Sequence, residues 1–157
     1  MGPLRRHALL KGNNTTFSFH RLPEAEGNQW LERVIGLLDA TFPFEQNDPG
    51  TWGPSAAFLP HVQAAWAEGR SFLPEGLGHL LNNAGAYLSM RAEYPQGRRL
   101  LEISLKTREA TLPPGHPDIL GSLWNLGFAH ARTRQHAEAR EYLTRARALR
   151  AEHPEYP

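Results

Sequence analysis

The chain has 157 residues, of which 40% are hydrophobic and 21% charged, and it contains no cysteine. This composition is typical of one globular domain or a short repeat array, and the absence of cysteine excludes disulfides, zinc–thiolate sites and thiol nucleophiles. Seventeen basic and 16 acidic residues give a net charge of +1, so the overall charge does not favour binding to nucleic acid or anionic lipid.

Membrane insertion and secretion are not indicated by the sequence. No apolar run approaches the ~20 residues that a membrane helix requires. Residues 1–6 include two arginines, but the apolar stretch of a secretory signal does not follow them. We therefore predict a cytoplasmic protein that neither spans nor binds a membrane.

The N-terminal segment, residues 1–22, carries the pattern of a short β-hairpin. Turn-forming residues at 11–14 separate two short stretches, and residues 15–20 alternate between polar and apolar side chains. A lone hairpin is barely stable in water. We therefore expect it to pack on the following helices or on a partner domain.

Residues 4–22, ending in Phe-Ser-Phe-His-Arg-Leu, resemble the last part of the winged-helix module of STAND-class signalling NTPases. In that family a histidine of a Met-His-Asp-like motif faces the nucleotide. The resemblance places His20 at this position, with Arg21 where the family often has Asp. The chain has no P-loop of the form G-x-x-x-x-G-K-[ST], so we predict that His20 is an ordinary strand-end residue and that no cofactor binds.

Residues 23–73 are predicted to form a degenerate helical pair. Residues 23–28 are polar and bounded by proline and glycine, which indicates a linker. Two amphipathic helices are then predicted, one ending before Pro43 and one running from Pro54 to near Gly69. Their packed faces are expected to contain Trp30, Leu31, Val34, Ile35, Leu37, Leu38 and Phe42, and then Ala57, Phe58, His61, Val62, Ala65 and Trp66.

Residues 74–157 contain an internal repeat. A shift of 42 residues superimposes Leu81 on Leu123 and Gly85 on Gly127. A fixed period of this length indicates stacked helical pairs, and we predict helices over about residues 75–92, 95–112, 118–132 and 136–152. Small residues are expected where the two helices of a pair approach closely, at Gly85, Gly97, Gly127 and Ala139.

The second copy resembles the tetratricopeptide pattern W-x-x-L-G-x-x-Y…A-x-x-x-F through Leu123, Leu126, Gly127, His130, Ala139 and Leu143. The 42-residue period resembles the repeats of kinesin light chain and of bacterial NTPase sensor arrays. The predicted fold class is all-α, an α-α superhelix of tetratricopeptide-type helical pairs, with the short N-terminal β-hairpin. An unrelated four-helix bundle is the alternative.

Two asparagines, Asn83 and Asn125, occupy one register on the first helices of the two repeats, which line the concave groove of such arrays. Amide groups pair with a peptide backbone, and aromatic side chains supply apolar anchors. The predicted peptide-binding groove consists of Asn82, Asn83, Trp124, Asn125, Phe128 and Arg132. The alternative is that these asparagines form hydrogen bonds with the backbone of the neighbouring repeat and act as structural spacers.

The last predicted helix has no following helix to cover it. A self-association face is therefore predicted at Tyr142, Leu143 and Leu149. No catalytic motif is present and the histidines lack metal-binding spacing, so we predict neither an enzyme nor a metal site. The predicted function is binding of a protein or peptide in a signalling assembly, and the alternative is a self-associating scaffold without a separate ligand.

Overall fold

The computed structural model describes residues 9–12, 15–18, 24–68 and 72–154. Within these residues the chain forms a hairpin and then six α-helices. The strands are β1 (Leu9–Gly12) and β2 (Thr15–Ser18); the helices are α1 (Glu24–Thr41), α2 (Trp52–Glu68), α3 (Leu77–Met90), α4 (Tyr94–Thr111), α5 (Pro117–Arg132) and α6 (His136–Glu152).

The hairpin expected near the N-terminus is present. Strands β1 and β2 pair in antiparallel register, with Leu9 opposite Ser18 and Gly12 opposite Thr15. Strand β1 contacts α2, so the hairpin packs on a helix of the same chain. His20 and Arg21, which carry the resemblance to STAND-class NTPases, lie outside the described residues.

The linker predicted at residues 23–28 is wrong, because α1 begins at Glu24. Ala25 is a strong helix former. The carboxylate of Glu26 lies in the first turn, where its negative charge is attracted by the positive end of the helix dipole and stabilises the helix. The one glycine in the segment, Gly27, costs only about 1 kcal/mol relative to alanine in a helix interior. Helix propensity therefore prevails over the turn-like composition.

The packed face of α1 is narrower than predicted. Ile35, Leu38 and Phe42 are buried, whereas Trp30 is 42% exposed and Leu37 is 65% exposed. The buried positions are spaced by three and four residues, which defines a single stripe toward the core. Trp30 and Leu37 fall beside that stripe, and on α2 the predicted core residue Ala57 is likewise exposed.

The four helices of the repeat lie within three residues of their predicted ends. The predicted packed face of α3 is confirmed, since Leu77, Leu80, Leu81, Ala84 and Leu88 are all buried. Two apolar clusters form the core. The first joins α1, α2, α3 and the start of α4, and the second joins α4, α5 and α6, so each helical pair is packed on the next.

Close helix approach at the small residues is confirmed. A Cβ atom added to Gly85 would lie 2.7 Å from Leu101 Cγ and 2.9 Å from the Gly97 carbonyl oxygen. A Cβ atom at Gly127 would lie 2.8 Å from two carbon atoms of Leu143. Both repeats therefore use the same device, a glycine on the first helix covered by a leucine of the second.

Helix α5 begins at Pro117, one residue earlier than predicted. The His116 side chain accepts a hydrogen bond from the backbone N–H of Asp118 at 3.1 Å and so caps the helix. Proline at the first position already has the helical φ angle and has no N–H group to satisfy. Together these residues fix the start of the helix that carries most of the predicted groove.

Candidate functional site

The predicted groove residues lie together on one surface formed by α3 and α5. We name this surface the α3–α5 face. Asn82, Asn83 and Asn125 are half-buried, while the two aromatic side chains project into solvent, Trp124 at 58% and Phe128 at 47% exposure. The face consists of His79, Asn82, Asn83, Trp124, Asn125, Phe128 and Arg132.

A hydrogen bond between two asparagines joins the repeats across this face. Asn125 Nδ2 donates to Asn82 Oδ1 at 3.1 Å. The bond therefore runs from Asn125 to Asn82 rather than between the repeat-related Asn83 and Asn125. It spaces the two helices, yet it uses only one hydrogen of Asn125 and one lone pair of Asn82, so both amides keep further donors and acceptors for a ligand.

Arg132 lies at the C-terminal end of α5, one turn beyond Phe128. Its guanidinium carbon is 5.9 Å from the centre of the Phe128 ring, a cation–π arrangement. Its Nε donates a hydrogen bond to the Tyr94 hydroxyl oxygen at 3.1 Å. These contacts hold the positive charge beside the aromatic anchors. The sequence reasoning did not include Tyr94 because it lies at the start of a different helix.

A second polar chain lies at the N-terminal end of α3. His79 Nδ1 donates to Asp39 Oδ1 at 2.6 Å, and Asn83 Nδ2 donates to His79 Nε2 at 3.3 Å. The hydrogen bond to Asp39, helped by the charge of that carboxylate, raises the pKa of His79 above its ordinary value, against the opposing effect of burial. Asp39 is 40 positions from His79 in sequence, so no local pattern could reveal the pair.

The hydrogen bond between His79 and Asp39 should make the stability of the chain depend on pH. Because folding raises the pKa of His79, the stabilisation is fully present below its unfolded value of about 6.5 and is lost as the pH rises through the raised pKa. We expect the difference in unfolding free energy between the native chain and His79→Gln to be larger at about pH 5.5 than at about pH 8.5. Half-exposure of His79 should keep this change below about 1 kcal/mol.

Denaturant unfolding at the two pH values measures this contribution. Substitution of the exposed Gln63 with alanine is the control, because this side chain carries no titratable group, and it should change stability equally at both pH values. A difference for His79→Gln that does not vary with pH would contradict the assignment.

A buried arginine of α4 forms hydrogen bonds with α5, one of the two helices of the α3–α5 face. Arg108 of α4 is 3% exposed, and its Nη1 donates to the Asp118 carbonyl oxygen at 2.7 Å and to Ser122 Oγ at 2.8 Å. Ser104 Oγ donates to the Gly78 carbonyl oxygen at 2.6 Å. Burial lowers the pKa of Arg108, and Asp118 partly opposes this. The network ties α3, α4 and α5 together. The sequence gives one sign of it, since Arg108 recurs 42 residues later as Arg150.

The residues of the predicted self-association face are half-buried against α5. The Tyr142 ring stacks on His130 with centroids 5.3 Å apart, and Leu143 covers Gly127. Leu149 packs against the second core cluster. The uncovered apolar face expected on α6 is thus largely turned inward, and the strongly exposed large apolar side chains of the described residues lie elsewhere, at Trp30, Leu37, Leu73, Trp124 and Phe128.

The geometry is that of a helical-repeat array in which α3 pairs with α4 and α5 pairs with α6. Residues 77–152, just under half of the chain, match the family model for the tetratricopeptide repeat. The match covers α3 to α6 and confirms the predicted fold class of tetratricopeptide-type helical pairs. Repeats of this class generally serve as non-catalytic scaffolds for protein–protein interaction.

Two of the solved structures that resemble the chain are crystal structures of nearly identical TPR-like repeats from a putative kinesin light chain of Podosopora anserina. The first is of a variant with one substitution and has a TM-score of 0.46 and 19% identity over 83% of this chain and 68% of that chain. The second bears the same name with no substitution and has a TM-score of 0.45 and 19% identity over 82% of this chain and 67% of that chain. No curated protein matches the chain.

In the part of the chain that the structure describes, no helix is both long enough and apolar enough to cross a membrane.

Proposed function

We propose that the α3–α5 face binds an extended segment of a partner protein. The observation that carries this proposal is the exposure of Trp124 and Phe128, one turn apart on α5, beside the half-buried Asn82–Asn125 pair. Because each side chain is already about half covered, burying the rest of one is worth roughly half of the 1.5–3 kcal/mol that full burial from an exposed state gives. Aromatic residues of this kind are common energetic centres of protein interfaces.

The dimensions of the face fit a short extended peptide. Trp124 and Arg132 are eight residues apart on α5, which corresponds to about 12 Å along the helix. An extended chain rises about 3.3 Å per residue, so roughly four peptide residues would span this distance. Apolar side chains of the peptide would cover Trp124 and Phe128, and the free hydrogen-bonding groups of Asn82 and Asn125 would bond to its backbone.

The charge at one end of the face favours an acidic group in the peptide. Arg132 is exposed, and its contacts are to a neutral hydroxyl and an aromatic ring rather than to a carboxylate. A carboxylate placed there would form a charge-assisted hydrogen bond, which is stronger than a neutral one. We therefore expect bound peptides to carry Asp, Glu or a chain terminus near Arg132.

Selection from a random displayed peptide library tests the proposal. We expect the native chain to enrich sequences with an apolar residue beside an acidic one, and the Trp124→Ala, Phe128→Ala double variant to lose that enrichment. Because both side chains are exposed, the melting temperature should change by only a few degrees. Leu37→Ala removes an apolar residue that is 65% exposed on α1 and should keep the enrichment.

Equal enrichment by the double variant would contradict the proposal, and dimers detected by light scattering would favour a self-associating scaffold.

We also propose that this binding serves a signalling assembly. The support is the resemblance of residues 4–22 and of the 42-residue period to the sensor region of STAND-class proteins. In this role the chain acts as the recognition part, since it lacks the P-loop that would bind a nucleotide phosphate. Titration with ADP in a calorimeter should give no heat of binding, and measurable binding would contradict the expectation that the chain has no nucleotide site.

A further inference from the structure

A continuous hydrogen-bonded chain runs from α1 to the α3–α5 face. Asp39 on α1 accepts from His79 Nδ1, and His79 Nε2 accepts from the amide nitrogen of Asn83. The link between Asp39 and His79 is short, at 2.6 Å, and that between His79 and Asn83 is 3.3 Å. The histidine therefore stands between a fixed carboxylate and an amide of the proposed binding surface.

The chemistry of imidazole couples these two contacts. A carboxylate accepts hydrogen bonds only, so Nδ1 keeps its proton and Nε2 is the nitrogen that titrates. In neutral His79, Nε2 is an acceptor for Asn83 Nδ2, and the oxygen of that amide is directed away from the ring. In cationic His79, Nε2 becomes a donor, so the amide must rotate by about half a turn to present Oδ1 to the ring.

We propose that His79 is a positioning residue that determines which hydrogen-bonding group Asn83 presents to a bound peptide. With neutral His79 the amide offers an acceptor oxygen to a peptide N–H group. With cationic His79 it offers its nitrogen, a donor, to a peptide carbonyl group. The effect on ligand choice rests on the proposed function of the face, whereas the rotation of Asn83 does not.

Three charged groups from the surrounding helices act on His79. Asp39 of α1 and Asp118 of α5 favour the cation, while the buried Arg108 of α4 disfavours it. Asp39 is the dominant partner because it also forms the hydrogen bond, and the net effect is a raised pKa of His79. The change in Asn83 should therefore occur at a higher pH than the titration of an ordinary histidine, whose midpoint is about 6.5.

NMR of the whole chain tests the rotation without any ligand. The side-chain amide resonances of Asn83 should shift with pH at the same midpoint as the imidazole resonances of His79. In Asp39→Asn that common midpoint should move to lower pH, and in His79→Gln the Asn83 shift should disappear. Glu32→Gln removes an exposed carboxylate from the same helix α1 and should leave the midpoint unchanged. Asn83 resonances that do not follow His79 would overturn the proposal.

Peptide binding provides a second readout. A displayed-library peptide enriched at about pH 8.5, where Asn83 offers its oxygen, should bind about tenfold more weakly at about pH 5.5, the loss of one good hydrogen bond. The His79→Gln variant should show no such dependence on pH. An equal pH dependence in both proteins would overturn the effect on ligand choice. Failure to enrich any peptide at either pH would contradict the proposed function, while the NMR titration would still decide the coupling of His79 and Asn83.

Discussion

Replacement of Gly85 with alanine is expected to destabilise the chain by about 2 kcal/mol, since inserting a methyl group into a packed contact typically costs about 1–3 kcal/mol. The new Cβ atom would lie 2.7 Å from Leu101 Cγ and 2.9 Å from the carbonyl oxygen of Gly97. The leucine side chain is fully buried and the carbonyl belongs to a helix backbone, so neither can move without displacing α4 from α3. The contact cannot relax cheaply, and the small gain in helix propensity does not offset it.

Thermal and denaturant unfolding measure this effect. For a chain of this size, a loss of about 2 kcal/mol corresponds to a fall in melting temperature of roughly 4–8 °C. Gly121→Ala is the matched control, because a Cβ atom there meets nothing within 4 Å. That change should be neutral or stabilise by about 0.5–1 kcal/mol. If both variants had the same stability, the close approach of α3 and α4 at Gly85 would not be supported.

Replacement of Arg108 with alanine is expected to cost about 3–5 kcal/mol, in the range of removing one member of a buried polar network and leaving a cavity. Its guanidinium bonds to the Asp118 carbonyl oxygen and to Ser122 Oγ, and its stem lies against Gly78. The change would remove the two hydrogen bonds by which the guanidinium joins α4 to α5, although Ser122 Oγ would keep its bond to the Asp118 carbonyl oxygen. Unfolding is therefore expected to become less cooperative as well as easier.

One further variant separates packing from hydrogen bonding at this site, and a second, elsewhere on α4, is the control. Arg108→Met keeps most of the volume and loses the donors, so it should be destabilised less than Arg108→Ala. Arg99→Ala removes an exposed arginine from the same helix and should change the unfolding free energy by no more than about 0.5 kcal/mol. A loss for Arg108→Ala as small as that for Arg99→Ala would contradict the structural role assigned to the buried arginine.

The repeat could be predicted from sequence because its signals are local. Helical spacing identified the buried leucines of α3, and the shared positions of Gly85 and Gly127 identified where the helices approach. The 42-residue period then indicated the stacking of one pair on the next. The same reasoning failed at residues 23–28, where the turn-like composition concealed a helix that begins at Glu24.

The polar contacts could not be predicted in the same way. Asp39 meets His79 only because of how α1 packs on α3, and periodicity along one helix does not fix that packing. Asn125 bonds to Asn82 rather than to a repeat-related partner, since its amide reaches a position one residue away in the repeat register. The residues of the candidate site could therefore be named from the sequence. The hydrogen bonds between them could be identified only from the three-dimensional structure.

The most direct test of the proposed binding function is an NMR titration of the whole chain with a peptide enriched from the displayed library. We predict that the indole N–H resonance of Trp124 and the side-chain amide resonances of Asn82 and Asn125 will shift most, with smaller changes on α6. Shifts confined to α2 or α6, with Trp124 unchanged, would show that the α3–α5 face is not the binding surface.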